Sequence, residues 1–383
     1  MRVLMICLIS LCSFQLIAQQ NTFKVSGKIK GLDSKYIMLI IFNPDLPAGW
    51  SRDSIPVKNG SFSYTAPITK FMYANINPNV DRVVKRAGGG YYPVKSATFQ
   101  FFVAPGFDIK FSGKITDFVD AYPSGDPNNK AFAKLNRTIY PLLNKSVNLS
   151  VKIANKIVTD TSLIRKMRDT ASVLDKKVIE YKEAFVRSSP QLASAAWQLS
   201  DMMIRSQVSS TTATDLYNAM DASLLRDIVY YKEVEKRVQG FSATAIGKTV
   251  PDISTVNTFT GNKFELSSLR GKYVVIDFWG TWCGPCIAGM PKMKAYLEKY
   301  KDKMEILGIA SESDRGAKWK KFIVDNPQFQ WHHVLSSRDE DFILQFTVAG
   351  FPTKIIIDPQ GKILARYVGE DDAIYKKLDE LLK

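Results

Sequence analysis

Histidine and cysteine are scarce in this chain. Its 383 residues hold two histidines, adjacent at His332 and His333, and four cysteines. A structural zinc site needs about four ligands. One histidine pair and one close cysteine pair do not readily share a tetrahedral site, so no metal is expected. A secreted domain stapled by disulfides would scatter its cysteines. Here Cys7 and Cys12 fall in the first apolar stretch, and Cys283 and Cys286 stand alone in the rest. Acidic charge is also in deficit, leaving a net charge of +15. From Gly247 onward there are 20 basic and 18 acidic residues, so the excess lies upstream. No basic motif interleaves with aromatics, so nucleic acid is not an expected partner. A solvated basic face is the plainer reading, although an acidic surface would also be attracted. After the N-terminus no apolar run reaches the length of a membrane span. What remains is the 45% apolar content of a folded chain, long enough for two or three domains.

The first residues read as a leader. Met1-Arg2 precedes a mostly apolar run from Val3 to Ile17, and Ala18 offers a small residue before Gln19-Gln20. This pattern predicts a signal peptide over 1–18 and export to the periplasm or an envelope-exposed place. Cys12 lies in a weak lipoprotein-like box in which Leu11 occupies the place of a small residue, so lipidation is the lesser expectation.

Residues 22–122 read as a β-rich domain. Phe23, Val25 and Gly27 begin an alternating run, and Tyr36–Ile41 is a strand candidate. Asp53–Val57 and Ser61–Tyr64 flank a Lys58-Asn59-Gly60 turn, and Phe99–Val103 and Asp108–Phe111 flank Pro105-Gly106. A small antiparallel sandwich fits this order. Pro123–Pro127 reads as a linker, and 128–240 turns helical. That region predicts a long amphipathic helix over Asp169–Arg187, a helix starting at Ser189-Pro190 and another over Leu216–Val238. It is a spacer, a partner-docking region or a surface for a homo-oligomer; its Met202-Met203 pair reads as core.

From 247 to 383 strand and helix alternate. Val274–Phe278 reads as a buried strand with one acid, Asp277, inside it. Trp282-Cys283-Gly284-Pro285-Cys286 follows, and from Ile287 the pattern is helical, with Pro291 as a candidate kink. A Cys-x-x-Cys after a strand and opening a helix is a redox signature. Unpaired N–H groups at the helix start stabilise the first thiolate, and the second thiol is placed to resolve a mixed disulfide. Cys283 is therefore the candidate nucleophile and Cys286 the resolving thiol. Gly284 permits close approach of a substrate chain, and Pro285 stiffens the first turn. A buried acid without a partner is costly, which sets Asp277 apart. His332 and His333 read as surface or loop residues.

Asp277-Phe278-Trp279, the Trp282–Cys286 motif, Pro291 and Gly350-Phe351-Pro352-Thr353 together resemble a thioredoxin-fold domain of the TlpA/ResA type, the envelope thiol-disulfide oxidoreductases. The β-rich front resembles the DUF4369-type domain found ahead of such modules in Bacteroidetes proteins. The fold expected is therefore multidomain, with an N-terminal antiparallel β domain, a helical middle and a C-terminal α/β thioredoxin fold. The resemblance implies that Pro352 is a cis-proline facing the Cys-x-x-Cys loop and that the Phe351 backbone pairs with a bound peptide. It also implies that Trp282 walls the site, that Asp277 relays the Cys286 proton, and that Glu312 is a second acid near the redox pair. Peroxidases of related fold carry threonine three residues before the reactive cysteine, and Gly280 stands there instead.

The expected activity is reduction of protein disulfides by a Cys283–Cys286 dithiol with no bound cofactor. Disulfide-containing client proteins, apocytochromes among them, are the expected substrates, and a membrane electron-donor thiol protein the source of electrons. Isomerase or oxidase activity is the enzymatic alternative. A redox-switched binding or scaffold protein is the non-enzymatic one.

Overall fold

The computed structural model describes residues 21–383 apart from Pro47. The leader and the Cys12 box lie outside the described residues. The chain divides into two compact units. One comprises the residues up to Leu199 together with Ala219–Tyr231, the other Ser200–Asn218 together with Lys232–Lys383.

The first unit opens with ten strands: β1 (Thr22–Lys30), β2 (Tyr36–Phe42), β3 (Trp50–Pro56), β4 (Ser61–Pro67), β5 (Met72–Asn77), β6 (Lys85–Ala87), β7 (Gly90–Tyr92), β8 (Phe99–Val103), β9 (Asp108–Ile115) and β10 (Val119–Ser124). Two four-stranded sheets, ordered β10-β9-β1-β4 and β3-β2-β5-β8, enclose one core that includes Phe23, Val25, Ile37, Phe99 and Phe111. Pairing is antiparallel except between β1 and β9. The two strand-turn-strand segments read from the sequence change sheets at their turns: β3 and β4 lie in different sheets, as do β8 and β9. Alternation reports which face is buried, not which sheet a strand joins.

The stretch read as a linker is ordered structure. Pro123 pairs within β10 opposite Phe111, and Asp126 caps helix α1 (Pro127–Ala154) by accepting from Asn129 N–H at 3.1 Å. Turn-forming residues here serve as a helix start. The Asn129 side chain exchanges two hydrogen bonds with the Phe102 backbone, at 2.8 and 2.9 Å, and so occupies the edge of β8 as another strand would. Helix α2 (Thr161–Ser188) contains the long helix expected. The next helix, α3 (Ala193–Ile204), begins later than Ser189-Pro190, because Ser189 closes α2 and 190–192 form a turn. Leu216–Val238 is broken into α4 (Ser210–Asn218), α5 (Ala222–Leu225) and α6 (Val229–Ala243), since the Asp221 carboxylate starts a new turn by accepting from Ser223 N–H. Met202 and Met203 are core, as expected.

The second unit carries a short hairpin, β11 (Ser254–Thr255) and β12 (Phe264–Glu265), then β13 (Tyr273–Trp279), α7 (Gly284–Lys299), β14 (Met304–Ser311), α8 (Ala317–Asp325), β15 (His332–Ser336), α9 (Phe342–Gln345), β16 (Thr353–Ile357), β17 (Ile363–Val368) and α10 (Ala373–Leu382). The sheet runs β15-β14-β13-β16-β17, parallel on the β14 side of β13 and antiparallel on the β16 side. This is the α/β thioredoxin-like fold. Strand β13 is central and apolar on both faces, as a covered strand must be. Val274, Ile276 and Phe278 pack with Phe342 and Phe346 on one face. Val275 points the other way, toward Met293 of α7 and Tyr375 of α10. Asp277 alternates with Val275, so it too lies on the face covered by α7 and α10.

Candidate redox site

The sulfurs of Cys283 and Cys286 are joined in a disulfide, with Cα atoms 5.3 Å apart. Cys283 occupies the position that caps α7, and its sulfur accepts from Cys286 N–H at 3.3 Å. The first cysteine thus stands where the helix presents an unpaired donor, and the reduced sulfur would meet the same N–H as a thiolate. Exposure is 4% for Cys283 and 1% for Cys286. Pro285 lies in the first turn, where its missing N–H costs nothing, and Pro291 sits inside α7, which continues to Lys299.

The approach to the disulfide is built from Trp282, Phe351 and Pro352. Trp282 is 59% exposed, and its indole N–H donates to Ser311 O at 2.8 Å. Its ring meets Phe351 edge-on at 5.0 Å. Phe351 packs on the apolar cluster that contains both cysteines, and the Phe351–Pro352 peptide bond is cis, as the motif implies. Glu312 is tied into the loop ahead of Cys283: its carboxylate accepts from Thr281 N–H at 2.6 Å and from Thr281 Oγ at 3.1 Å. Gly284 has open space where a side chain would stand.

Asp277 is 4% exposed and one of its oxygens, Oδ1, makes no hydrogen bond. Directly opposite in the sheet is Lys354, 1% exposed, whose Nζ lies 3.6 Å from that oxygen. The same Nζ lies 2.7 Å from Glu370 Oε2. Burial pushes the Asp277 carboxyl up to about 6; Lys354 opposes the rise and Glu370 adds to it. On the other side of Asp277 the paired residue is Gly308, and His333 follows it in the row. His333 is a buried strand residue, contrary to the surface or loop placement expected of it, while His332 beside it is half-buried. A ring at this place fits because Gly308 brings no side chain to the row. Burial pushes His333 down to about 4, which keeps it neutral, and its Nε2 bonds to Phe329 O at 2.8 Å.

Of the residues singled out in the sequence, Cys283, Cys286, Trp282, Gly284, Pro285, Phe351 and Pro352 gather at one end of α7, and Glu312 reaches them through Thr281. Asp277 stands on β13, facing Lys354 across the sheet. Lys354 and Glu370 were missed. Lys354 had a signal, a lone cation in the apolar run Thr353–Ile357, of the same kind that marked Asp277. Glu370 had none, because only the turn after β17 brings it near. Among the described residues no group of three or more His, Cys, Asp or Glu is placed to hold a metal ion, and no helix is long and apolar enough to cross a membrane.

Residues 246–366 match the AhpC/TSA family, and residues 23–132 match a domain of unknown function, DUF4369. The chain is 37% identical over 138 residues to the thiol-disulfide oxidoreductase ResA of Bacillus anthracis, covering 34% of this chain and 77% of that one. ResA of Geobacillus kaustophilus is 31% identical over 126 residues, covering 32% and 68%. A crystal structure of the thioredoxin domain of a thiol-disulfide oxidoreductase from Bacteroides vulgatus aligns at 31% identity, covering 36% of this chain and 99% of that one, with a TM-score of 0.33. On the sequence relatives and the bonded Cys283–Cys286 pair, this chain belongs to the thioredoxin-fold thiol-disulfide oxidoreductases of the TlpA/ResA type, and it carries a DUF4369 domain ahead of its Cys-x-x-Cys module.

Proposed function

We propose that this protein is an envelope-side protein-disulfide reductase. The observation that carries the reading is the position of Cys283 at the start of α7, bonded to Cys286 and flanked by Trp282 and the cis Phe351–Pro352 bond. In the reduced enzyme, Cys283 thiolate attacks one sulfur of a client disulfide and expels the other as a client thiolate. Cys286 gives its proton to Asp277 and attacks Cys283 sulfur. The client leaves with both its sulfurs reduced, and the enzyme keeps the disulfide. The Phe351 backbone aligns the client chain, and Trp282 and Phe351 form its apolar wall. A membrane thiol protein then returns two electrons, because the compartment has no reducing pool of its own. In this reading Glu312 sits at the rim of the proton machinery and holds the 280–282 loop in place.

Direction is tested by the equilibrium potential of Cys283–Cys286 in a glutathione series. Thioredoxin, a reductant, stands at about −270 mV and DsbA, an oxidant, at about −120 mV. The expected value lies nearer the first, as the Gly284-Pro285 pair between the cysteines implies; a value near the second would make the protein an oxidase.

Glu312 gives a separate test. Glu312→Gln keeps an acceptor for Thr281 and should leave the resolving rate within about twofold. Glu312→Ala removes both acceptors and should lower stability by about 1–2 kcal/mol in urea. A large loss of resolving rate in Glu312→Gln, with the fold intact, would move the base role from Asp277 to Glu312.

A further inference from the structure

Lys354 is one cation shared between two carboxylates, and the sharing is uneven. Its Nζ is 2.7 Å from Glu370 Oε2 but 3.6 Å from Asp277 Oδ1, which is left without a hydrogen bond. Nothing in the sheet forces this. Asp277 and Lys354 are direct cross-strand partners, and their side chains share a face. Glu370 is the nearer of the ammonium's two carboxylates. Its own carboxylate is fixed from two sides. Tyr375 Oη donates to Oε1 at 3.2 Å. Helix α7 opens a place for it at Gly289, where a Cβ would stand 2.5–2.6 Å from the carboxylate atoms. Gly289 lies three positions beyond Cys286 on α7, so the cradle belongs to the same helix, and to the neighbouring position on its surface, as the resolving thiol.

We propose that Glu370 is a positioning residue of the redox site: seated on Gly289, it holds Lys354 off Asp277 and so keeps the Asp277 carboxylate free to take the Cys286 proton. The proposal rests on the reading of Asp277 as the base. A close Lys354–Asp277 ion pair would stabilise the carboxylate and make it a poor proton acceptor near neutral pH. With Glu370 in place, the three groups carry one negative charge before the transfer and none after it. The Cys286 proton ends on Asp277, the thiolate's electron pair forms the new bond to Cys283, and the Cys283–client S–S bond breaks with its pair leaving on the client sulfur. Glu370 has 26% of its side chain exposed, so the network also touches solvent.

Other titratable groups packed around Asp277 are fixed by the fold. Tyr375 of α10 stays protonated, since burial and then Glu370 raise it. Lys292 of α7 lies over the Tyr375 ring at 4.2 Å and pairs with Asp372. Cys286 is carried by α7, and neutral His333 stands beyond Gly308.

The test is the titration midpoint of the Asp277 carboxyl in the oxidised full chain, read by carbon-13 NMR of labelled aspartate and assigned by its loss in Asp277→Asn. Glu370→Gln should lower the midpoint by about one unit or more, because a nearby negative charge is lost and Lys354 is released to Asp277. Lys354→Met should raise it by a similar amount. Gly289→Ala, whose methyl takes the place of the Glu370 carboxylate, should lower it as Glu370→Gln does and guards against one variant misfolding. A structural role alone predicts no opposed pair of shifts. An unchanged or raised midpoint in Glu370→Gln and Gly289→Ala overturns the proposal. The base reading is tested separately by the resolving rate of Asp277→Asn, whose failure to slow would leave the midpoints intact and remove their link to catalysis. If both hold, the acid limb of the resolving rate in Glu370→Gln moves to lower pH and its plateau falls.

Discussion

Asp277→Asn is expected to make the protein more stable and less active at once. The folded value of about 6 stands above the unfolded value of 3.8. The native state therefore binds this proton more tightly than the unfolded chain. Its favourable contribution is complete below about pH 4 and is lost as pH rises through 6. At pH 7 the buried carboxylate costs on the order of 2–3 kcal/mol relative to an unperturbed one. Asparagine removes the charge and leaves Lys354 paired with Glu370, so the variant should gain on the order of 2 kcal/mol at pH 8. That gain should fade toward pH 4, in urea unfolding of the oxidised protein. Formation of the mixed disulfide should be nearly unchanged. Resolution by Cys286 should slow by about 100-fold at pH 7, the usual scale for a lost general base. The defect should shrink at high pH, where Cys286 ionises unaided. Equal resolving rates in the two proteins at every pH would make Asp277 a structural residue and pass the proton to Glu312 or to water.

Two kinds of signal made the redox site legible in the sequence. The first is local chemistry: Cys283, Pro285 and Cys286 lie within one turn, and their spacing alone places them at a helix start. The second is a mismatch between residue and surroundings, as with Asp277 inside an apolar strand. Lys354 offers the same mismatch and would have been found by asking what neutralises Asp277 across the sheet. Glu370 and Gly289 are beyond such reasoning, because their meeting depends on how the turn after β17 docks on α7. Glu312 was singled out only through the resemblance, and its bonds to Thr281 were not foreseeable from a loop.

The fold shows the same division. Strands were visible from alternation, yet alternation is silent about which sheet a strand enters, so the crossings at Lys58-Asn59-Gly60 and Pro105-Gly106 read as ordinary hairpins. Pro123–Pro127 looked like a linker because proline, glycine and aspartate mark turns and helix starts alike. His333 looked exposed because histidine is polar. Only the bare backbone of Gly308 beside it shows how the ring is buried.

The largest expected effect belongs to the cysteines themselves. Cys283→Ala should reduce no client disulfide, since it removes the thiol at the helix start and leaves only Cys286, which lies inside the first turn of α7 and is 1% exposed. Cys286→Ala should also fail to turn over, but for the opposite reason. Its Cys283 thiolate, still held at the start of α7, attacks the client and then waits for a thiol that is missing. The covalent adduct is therefore the expected product in one variant and nearly absent in the other. Both variants are incubated with an oxidised client, quenched in acid and mapped by mass spectrometry without reduction. A client joined through Cys283 is expected in Cys286→Ala and almost none in Cys283→Ala; a client carried mainly by Cys286, in the variant that lacks Cys283, would reverse this assignment of the two thiols.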